Sequence, residues 1–328
     1  MSAQTITFAE ASNLALDEAL AADESVFLLG EDIADREGGG VAKVTAGLST
    51  KYGQHRVRST PISEQAIAGA AVGAAIAGMR PVAEIMLANF LTVAMDQIVN
   101  HAAKIRFMSG GQTSVPLTIR TMSGAGMGSG GQHSDMPEAW FAHVPGLKVV
   151  TGSSPAEVKG LLLSCIFDDD PCIFIETMPT YWDRGPAPAP GLRIPLGKAN
   201  IVRPGTDVSV ISYGRPVAQI VRIAEQLADD GISVEIVDLR TISPIDRTSV
   251  LESVGKTRRA VVVHEAVEQF GVGAQISAMI AEDLHSGLRA PVTRVGSRNC
   301  PVPFSRPLEQ AFMYSDDRIE TAIRKAVQ

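Results

Sequence analysis

Short stretches of almost continuous apolar residues alternate along this chain with longer stretches in which apolar positions recur every three or four residues. The first pattern predicts buried strands, which in the first half of the chain cover Val26–Gly30, Pro81–Ile85, Val115–Arg120, Leu147–Val150 and Cys172–Glu176. The second pattern predicts helices at Phe8–Ala22, Ser63–Met79, Phe90–Met108 and Pro155–Asp168. Strands that are apolar throughout are typical of a parallel sheet covered by helices, so we predict an α/β fold.

The pattern is interrupted between Met178 and Gly205, where prolines and glycines are frequent, as is typical of a stiff surface linker. Alternation then resumes, with strands predicted at Val208–Tyr213, Val234–Leu239, Arg259–His264 and Val292–Val295 and helices at Pro216–Asp230 and Ala274–Leu284. We therefore predict two domains, each with a mostly parallel sheet covered by helices. The first spans residues 1–178, the linker 179–204, and the smaller second domain 205–328.

Composition narrows the classes of function. The 328 residues carry 29 basic and 36 acidic side chains, a net charge of −7 without a basic run, which argues against nucleic acid as a partner. The cysteines are odd in number and lack metal-ligand spacing, which favours a reducing compartment. The N-terminus lacks a signal pattern, and the longest apolar stretch, Ala66–Met79, is too short to span a bilayer. We expect a cytoplasmic protein without a membrane partner.

One carboxylate stands at the start of a predicted helix made almost wholly of alanine, glycine, valine and isoleucine. Ser63 is a candidate N-cap, which places Glu64 in the first helical turn. We expect so small-sided a helix to be buried on every face, so that Glu64 faces a packed interior or a subunit interface. Desolvation there would raise the pKa of the carboxyl and allow proton exchange near neutral pH. The alternative is a carboxylate that only stabilises the helix dipole.

The Gly-rich stretch Gly124–Gly131 follows a predicted strand and leads to His133. Its glycines satisfy the spacing G-x-G-x-x-G, so a dinucleotide site has to be considered. That site needs an acidic residue roughly 20 positions on, where this chain has Thr151 and Gly152. A mobile loop that approaches a ligand closely is the better explanation. His133 then acts on a reacting group, and the alternative is a structural histidine.

Several segments occur together in an order that identifies a family resemblance. They are Thr60–Glu64, Asn89–Phe90, Met95–Asn100, Met108–Gly111, Gln132–Ser134, Pro145–Val150, Asp238–Pro244 and Gln269–Gly273. With these segments the chain resembles, over nearly its whole length, the beta subunit of the thiamine diphosphate-dependent decarboxylating component of 2-oxo acid dehydrogenase complexes. The acetoin dehydrogenase beta subunit shares the pattern. The resemblance implies a transketolase-like pyrimidine-binding domain followed by a transketolase C-terminal-like domain.

The resemblance also implies a role for each of three residues. The glutamate that matches Glu64 hydrogen-bonds the N1′ atom of the cofactor's aminopyrimidine and so promotes loss of the thiazolium proton. The aromatic residue that matches Phe90 stacks on the aminopyrimidine. The histidine that matches His133 lies near the substrate and takes part in reductive acylation of the lipoyl group. The cofactor carries the difficult chemistry, and the protein orients it.

The half of the cofactor site that holds the diphosphate is missing from this sequence. Relatives bind the diphosphate and its magnesium ion with a Gly-Asp-Gly…Asn segment, and this chain has no Gly-Asp-Gly triplet. The resemblance implies that an alpha subunit supplies this segment, in a heterotetramer of two alpha and two beta chains. The further partners it implies are the second beta subunit and a lipoyl acyltransferase. We expect the chain alone to be inactive.

The family carries a structural potassium ion bound largely by backbone carbonyls. The resemblance places its ligands at Leu117, Cys165, Ile166, Asp168 and Asp170.

The substrate follows less directly from the sequence than the family does. We expect pyruvate, with acetoin or a branched-chain 2-oxo acid as alternatives. Less favoured are a split transketolase half, which would transfer ketol groups without lipoate, and a non-catalytic scaffold, which would have no use for Glu64, Phe90 and His133 together. An NAD-dependent oxidoreductase is disfavoured by the missing acidic residue.

Overall fold

The computed structural model describes residues 5–328. The chain forms two compact units. The first contains the chain up to Ser123 together with Trp140–Leu196, and the second contains Gly124–Ala139 together with Gly197–Gln328. The hydrophobic pattern gave no sign that the segment after Ser123 belongs to the second unit, and the predicted domain limits at residues 178 and 205 stay a prediction.

The first unit contains the following elements. Its strands are β1 (Thr5–Thr7), β2 (Val26–Glu31), β3 (Val57–Thr60), β4 (Arg80–Leu87), β5 (Thr118–Ser123), β6 (Lys148–Val150), β7 (Cys172–Thr177) and β8 (Arg184–Pro186). Its helices are α1 (Phe8–Ala22), α2 (Leu48–Tyr52), α3 (Glu64–Ile76), α4 (Ile105–Met108) and α6 (Pro155–Ile166), and α5 (Glu138–Ala142) spans the limit between the units. Short 3-10 helices cover Asp35–Glu37, Ala88–Thr92 and Met178–Trp182, and a π-helix covers Gln97–Ala102.

The parallel sheet of the first unit has the strand order β6-β7-β5-β4-β2-β3. Its central strands are buried on both faces, as the continuous apolar patterns predicted. Helices α1 and α6 pack against each other on this core. Strands β1 and β8 form a separate antiparallel pair. Because the long strands are parallel, β2, β3, β4 and β5 end at one edge of the sheet, where ligands bind in α/β folds.

The helix predicted over Phe90–Met108 is a succession of helical types. A 3-10 helix, a turn, a π-helix and α4 follow one another, so the prediction of one continuous α-helix was wrong. The buried positions Leu91, Ala94, Ile98 and Ala102 recur every three or four residues, as in an ordinary α-helix, and Ala103 is buried beside the last of them. The hydrophobic period therefore predicts that this segment is helical, but it does not reveal which carbonyl each N–H group bonds.

Helix α3 is buried on one face within this chain, so the expected burial of every face stays a prediction that needs a subunit interface. Ile67, Ala68, Ala71, Val72 and Ala75 are buried, whereas the opposite side of the helix is exposed in this chain. Small residues allow close packing on any face, but the first unit supplies a neighbour for one face alone.

The second unit contains its own sheet and core. Its strands are β9 (Asn200–Arg203), β10 (Val208–Ser212), β11 (Val234–Asp238), β12 (Thr241–Ser243), β13 (Ala260–Val267) and β14 (Thr293–Ser297). Its helices are α7 (Pro216–Asp229), α8 (Arg247–Thr257), α9 (Val272–Leu284), α10 (Arg306–Phe312) and α11 (Asp316–Val327), with a 3-10 helix at His285–Gly287. A five-stranded sheet has the order β14-β13-β10-β11-β9, and only β9 is antiparallel to its neighbour. The alternation seen in the sequence thus yields a second α/β unit, as predicted.

Within residues 5–328, no helix combines the length and apolar character that a membrane span requires. The three cysteines are free thiols: Cys165 and Cys172 are buried, and Cys300 is exposed.

Candidate functional site

Two predicted site residues, Glu64 and Phe90, lie at the carboxyl edge of the first unit's parallel sheet. Glu64 opens α3 after the turn that follows β3, and Phe90 lies in the 3-10 helix that follows β4. Strands β3 and β4 pair in parallel with β2, one on each side. The fold therefore brings these two side chains to the same edge, which is the usual ligand-binding edge of such sheets.

The surroundings of Glu64 differ from the expectation in two respects. Ser63 is at the N-cap position, but its side chain makes no capping hydrogen bond. The Glu64 side chain is half-buried rather than enclosed. The reason is that residues of this chain cover the start of α3 on one side only.

A second acidic residue at this edge, Glu31, was missed by the sequence analysis. It is the last residue of β2, between the strands that lead to Glu64 and Phe90. Its pKa is raised by burial and by the charges of Asp32, Glu64 and Glu84. The carboxylates of Glu31 and Glu64 therefore lie near enough to repel each other. A glutamate that ends an apolar strand is the signal that could have identified it.

A buried ionic network crosses the middle of the same sheet. The guanidinium of Arg120 on β5 donates to Glu84 on β4 over 2.6 Å and to Glu176 on β7 over 2.5 Å. Ser12 and Tyr181 donate to Glu176 over 2.5 Å and 3.2 Å. Burial lowers the pKa of Arg120, but Glu176 and Glu84 more than offset this, so the guanidinium stays charged. These partners are far apart in sequence, which is why the sequence analysis did not find the network.

The Gly-rich loop is held by carboxylates of the second unit. The Ala125 N–H donates to Glu265 over 2.8 Å. The Gly126 N–H donates to Oε1 of Glu309 over 2.7 Å, and the Gly128 N–H donates to its Oε1 and Oε2 over 3.2 Å and 3.1 Å. The amide groups that a dinucleotide fingerprint offers to a pyrophosphate are thus bonded to an acidic side chain.

His133, the third predicted site residue, follows this loop in the second unit. Its backbone N–H donates to the carbonyl of Gly130 over 3.2 Å, and its side chain is half-buried. The structure thus joins Glu64 and Phe90 at one sheet edge of the first unit, and it places His133 on a fixed loop of the second.

A buried acid was missed in the segment that follows His133. Glu138 is fully buried, and its Oε1 accepts the hydroxyl proton of Tyr213 over 2.6 Å. Burial raises the pKa of Glu138 to about 7, although the hydrogen bond from Tyr213 acts in the opposite direction. Tyr213 in turn stacks on the ring of His264, with the ring centroids 6.4 Å apart. Burial lowers the pKa of His264 to about 4, so this imidazole is neutral at pH 7.

The five residues predicted to bind potassium lie close together, and they have other partners in the structure. Arg80 donates to the carbonyl oxygens of Ile166 and Asp168 over 3.4 Å and 3.0 Å. The carbonyl of Leu117 accepts the Cys172 N–H over 2.8 Å. The predicted ligands Cys165 and Asp170 complete the group, in which the Asp168 N–H donates to the Cys165 carbonyl and Arg106 pairs with the Asp170 carboxylate. Potassium ligation stays a prediction.

Comparison with known proteins gives matches over almost the whole chain. The family described as "Transketolase, pyrimidine binding domain" matches residues 4–181, and "Transketolase, C-terminal domain" matches residues 197–319. A protein of Cupriavidus necator named "Acetoin:2,6-dichlorophenolindophenol oxidoreductase subunit beta" is 45% identical over 99% of this chain and 98% of its own length. The "Pyruvate dehydrogenase E1 component subunit beta-2, mitochondrial" of Oryza sativa subsp. japonica is 42% identical, over 99% and 87% of the two chains.

A third relative and a solved structure are also similar to this chain. The "2-oxoisovalerate dehydrogenase subunit beta" of Bacillus subtilis is 39% identical over 98% of this chain and 99% of its own. A solved structure described as "Split gene transketolase, inactive beta4 tetramer" superposes with a TM-score of 0.81 over 98% of both chains. Its sequence identity of 21% makes this last likeness one of fold alone.

Proposed function

Because this chain belongs to the family of 2-oxo acid and acetoin dehydrogenase beta subunits, we propose that it forms the pyrimidine-binding half of a thiamine diphosphate site. The assembled enzyme decarboxylates pyruvate and reductively acylates a lipoyl domain. Residues 1–178 are the pyrimidine-binding domain, residues 179–204 a linker, and residues 205–328 the C-terminal domain. A cytoplasmic location is part of the proposal.

The observation that carries this proposal is the joint position of Glu64 and Phe90 at one edge of a parallel sheet. An aminopyrimidine ring needs a hydrogen-bonding partner for a ring nitrogen and an apolar face on which to stack. Both side chains are half-buried, so each has a solvent-exposed part that such a ring could cover, and the residues fit this end of the cofactor. When bound, thiamine diphosphate supplies the nucleophilic carbon and accepts the electron pair released by decarboxylation.

Glu64 holds a proton between its carboxyl group and the ring nitrogen in this proposal. The nearby Glu31 adds a second carboxyl group at this edge, and its own pKa is raised by burial and by the neighbouring charges. Phe90 fixes the ring plane by stacking. His133 acts in the reductive acylation step, in which an imidazole can donate or accept a hydrogen bond.

The remaining half of the site is proposed to come from an alpha subunit. This chain lacks the Gly-Asp-Gly segment for magnesium and diphosphate, and the relatives are named as subunits. We propose a heterotetramer of two alpha and two beta chains that passes its acyl group to a lipoyl acyltransferase. The exposed face of α3 supports a neighbour at the start of that helix, where Glu64 is half-buried.

Potassium is proposed as a structural ion at Leu117, Cys165, Ile166, Asp168 and Asp170. Since Arg80 already donates to two of these carbonyl groups, the ion would share its ligands with a guanidinium. A melting temperature that is the same in potassium and sodium chloride would contradict the proposal.

Acetoin is the second candidate substrate. It is favoured by the 45% identity to the relative named for acetoin, against 42% and 39% to the relatives named for pyruvate and 2-oxoisovalerate. Turnover of pyruvate, acetoin and 3-methyl-2-oxobutanoate by the same assembled enzyme decides among them.

The test of the proposed function is the exchange Glu64→Gln in the enzyme assembled with its alpha subunit. We expect the turnover number, measured with thiamine diphosphate, magnesium and 2,6-dichlorophenolindophenol as oxidant, to fall about 100-fold or more, because the amide does not exchange the proton. Glu24→Gln, at an exposed acid of the same unit, is the matched control and should leave turnover unchanged. Full activity of the Glu64→Gln enzyme would refute the role of Glu64.

A further inference from the structure

We propose that Glu309 is a positioning residue that fixes the Gly-rich loop Gly124–Gly131 and, through it, His133. The inference rests on the role proposed above for His133 in reductive acylation. It assigns to helix α10 a part in that step, although α10 lies far along the chain from the residues it holds.

Glu309 acts as a clamp, by which we mean that its carboxylate accepts hydrogen bonds from two separate glycines of the loop. Its side chain is only 2% exposed, so bulk water does not compete for its oxygens. Both oxygens accept from the loop, Oε1 from the N–H groups of Gly126 and Gly128, and Oε2 from that of Gly128. Hydrogen bonds to a carboxylate are stronger than those between neutral groups, so this buried side chain holds the loop backbone firmly.

The path of the loop explains why a clamp is needed. Gly124, Gly126, Gly128 and Gly130 all have positive φ angles, of 105°, 111°, 69° and 75°. Glycine adopts such angles without strain but also leaves them easily, so the sequence itself does not hold the loop in one conformation. External contacts have to select the observed path.

Other residues of the second unit hold the two ends of the loop. At its start, Arg215 donates to the carbonyl of Ala125 over 2.8 Å, and Glu265 accepts from the Ala125 N–H. At its end, a Cβ atom on Gly130 would lie 2.4 Å from the ring of Phe304, which shows how closely that ring covers the backbone. Glu309 holds the middle. The carbonyl of Gly130 then accepts the His133 N–H, which ties the histidine to the clamped backbone.

The expected consequence is a selective defect. Without the Glu309 carboxylate the loop samples other conformations, and His133 spends less time in reach of the lipoyl group. Displacement by about 1 Å is enough to slow a positioned step by about 100-fold. Oxidation of the decarboxylated substrate by a small dye bypasses the lipoyl group and should be affected far less.

The experiment uses the assembled enzyme with Glu309→Ala, Glu309→Gln and, as control, Asp317→Ala at an exposed acid on α11. Two rates are measured: pyruvate oxidation with 2,6-dichlorophenolindophenol, and acetylation of a lipoyl domain. We expect Glu309→Ala to slow acetylation about tenfold or more while dye reduction stays within about threefold. Glu309→Gln should restore acetylation, because its amide oxygen can still accept from both glycine N–H groups.

Hydrogen exchange of the peptide that contains Gly126 and Gly128 gives a readout that does not depend on activity. We expect faster exchange in Glu309→Ala and near-normal exchange in Glu309→Gln. Unchanged exchange in Glu309→Ala, or an equal loss of both rates with no rescue by Gln, would overturn the inference. Absence of lipoyl acetylation by the unmodified enzyme would instead refute the proposed function. The hydrogen-exchange data would still show whether Glu309 holds the Gly-rich loop.

Discussion

At the scale of single residues, this protein keeps acidic groups in places where their ionised form is disfavoured. Glu138 is the clearest case, since burial raises its pKa to about 7 while Tyr213 is its hydrogen-bond donor. In the unfolded chain the same carboxyl has its ordinary pKa of about 4.5. The folded state thus retains a proton that the unfolded state has lost.

This difference predicts a pH-dependent stability. The contribution of Glu138 is fully present below pH 4.5 and is lost as the pH rises to about 7. The loss amounts to about 3 kcal/mol at most, from the two pKa values. We expect Glu138→Gln, which keeps an acceptor for Tyr213, to be more stable than the unmodified protein at pH 8 and similar at pH 4.5, as measured by urea unfolding. Glu225→Gln, at an exposed acid on α7, is the control, and an identical pH profile for Glu138→Gln would contradict the assignment.

At the scale of elements, the network around Arg120 joins β4, β5 and β7 across the sheet. Its side chains are 3–14% exposed, so removal of the cation leaves Glu84 and Glu176 as uncompensated buried charges. We expect Arg120→Met to lower the free energy of unfolding by about 3–5 kcal/mol. The measurement is urea denaturation at neutral pH.

An exposed ion pair provides the control for that prediction. Arg222 and Asp316 face each other over 3.4 Å with side chains more than half exposed, so Arg222→Met should cost less than about 1 kcal/mol. Comparable losses in the two variants would mean that the buried network contributes no more than a surface pair.

Individual helices also show where the sequence predicted the structure correctly and where it did not. Helix α1 has the predicted bounds, Phe8–Ala22, because Thr7 and Glu10 form a capping box that marks its start in the sequence. The prediction was wrong where one hydrophobic period fits several hydrogen-bond patterns, as in the segment after Phe90. Of the candidate site, Glu64 and Phe90 were predicted from motifs, and Glu31 carries a sequence signal at the end of an apolar strand. Glu309 could not be predicted, because its partners are distant in sequence.

At the scale of the whole molecule, the proposed function assigns to this chain only one half of the cofactor site. We expect the purified chain without an alpha subunit to show no decarboxylase activity and to bind thiamine diphosphate weakly, because it lacks the diphosphate-binding segment. Titration calorimetry with the cofactor and magnesium, before and after addition of the alpha subunit, measures this directly. Tight binding by the isolated chain would contradict the split-site proposal.

The assignment of Gly124–Ala139 to the second unit has a consequence for dividing this protein. The chain leaves the first unit at Ser123, returns at Trp140 and leaves again after Leu196, so neither unit is one continuous piece of sequence. If the gene were cut at the linker, the first fragment would carry the His133 segment without Glu309. The second fragment would carry Glu309 without its partners Gly126 and Gly128. A first fragment that ends at Leu196 keeps every residue assigned to the first unit, whereas the residues of the second unit are divided between the two fragments.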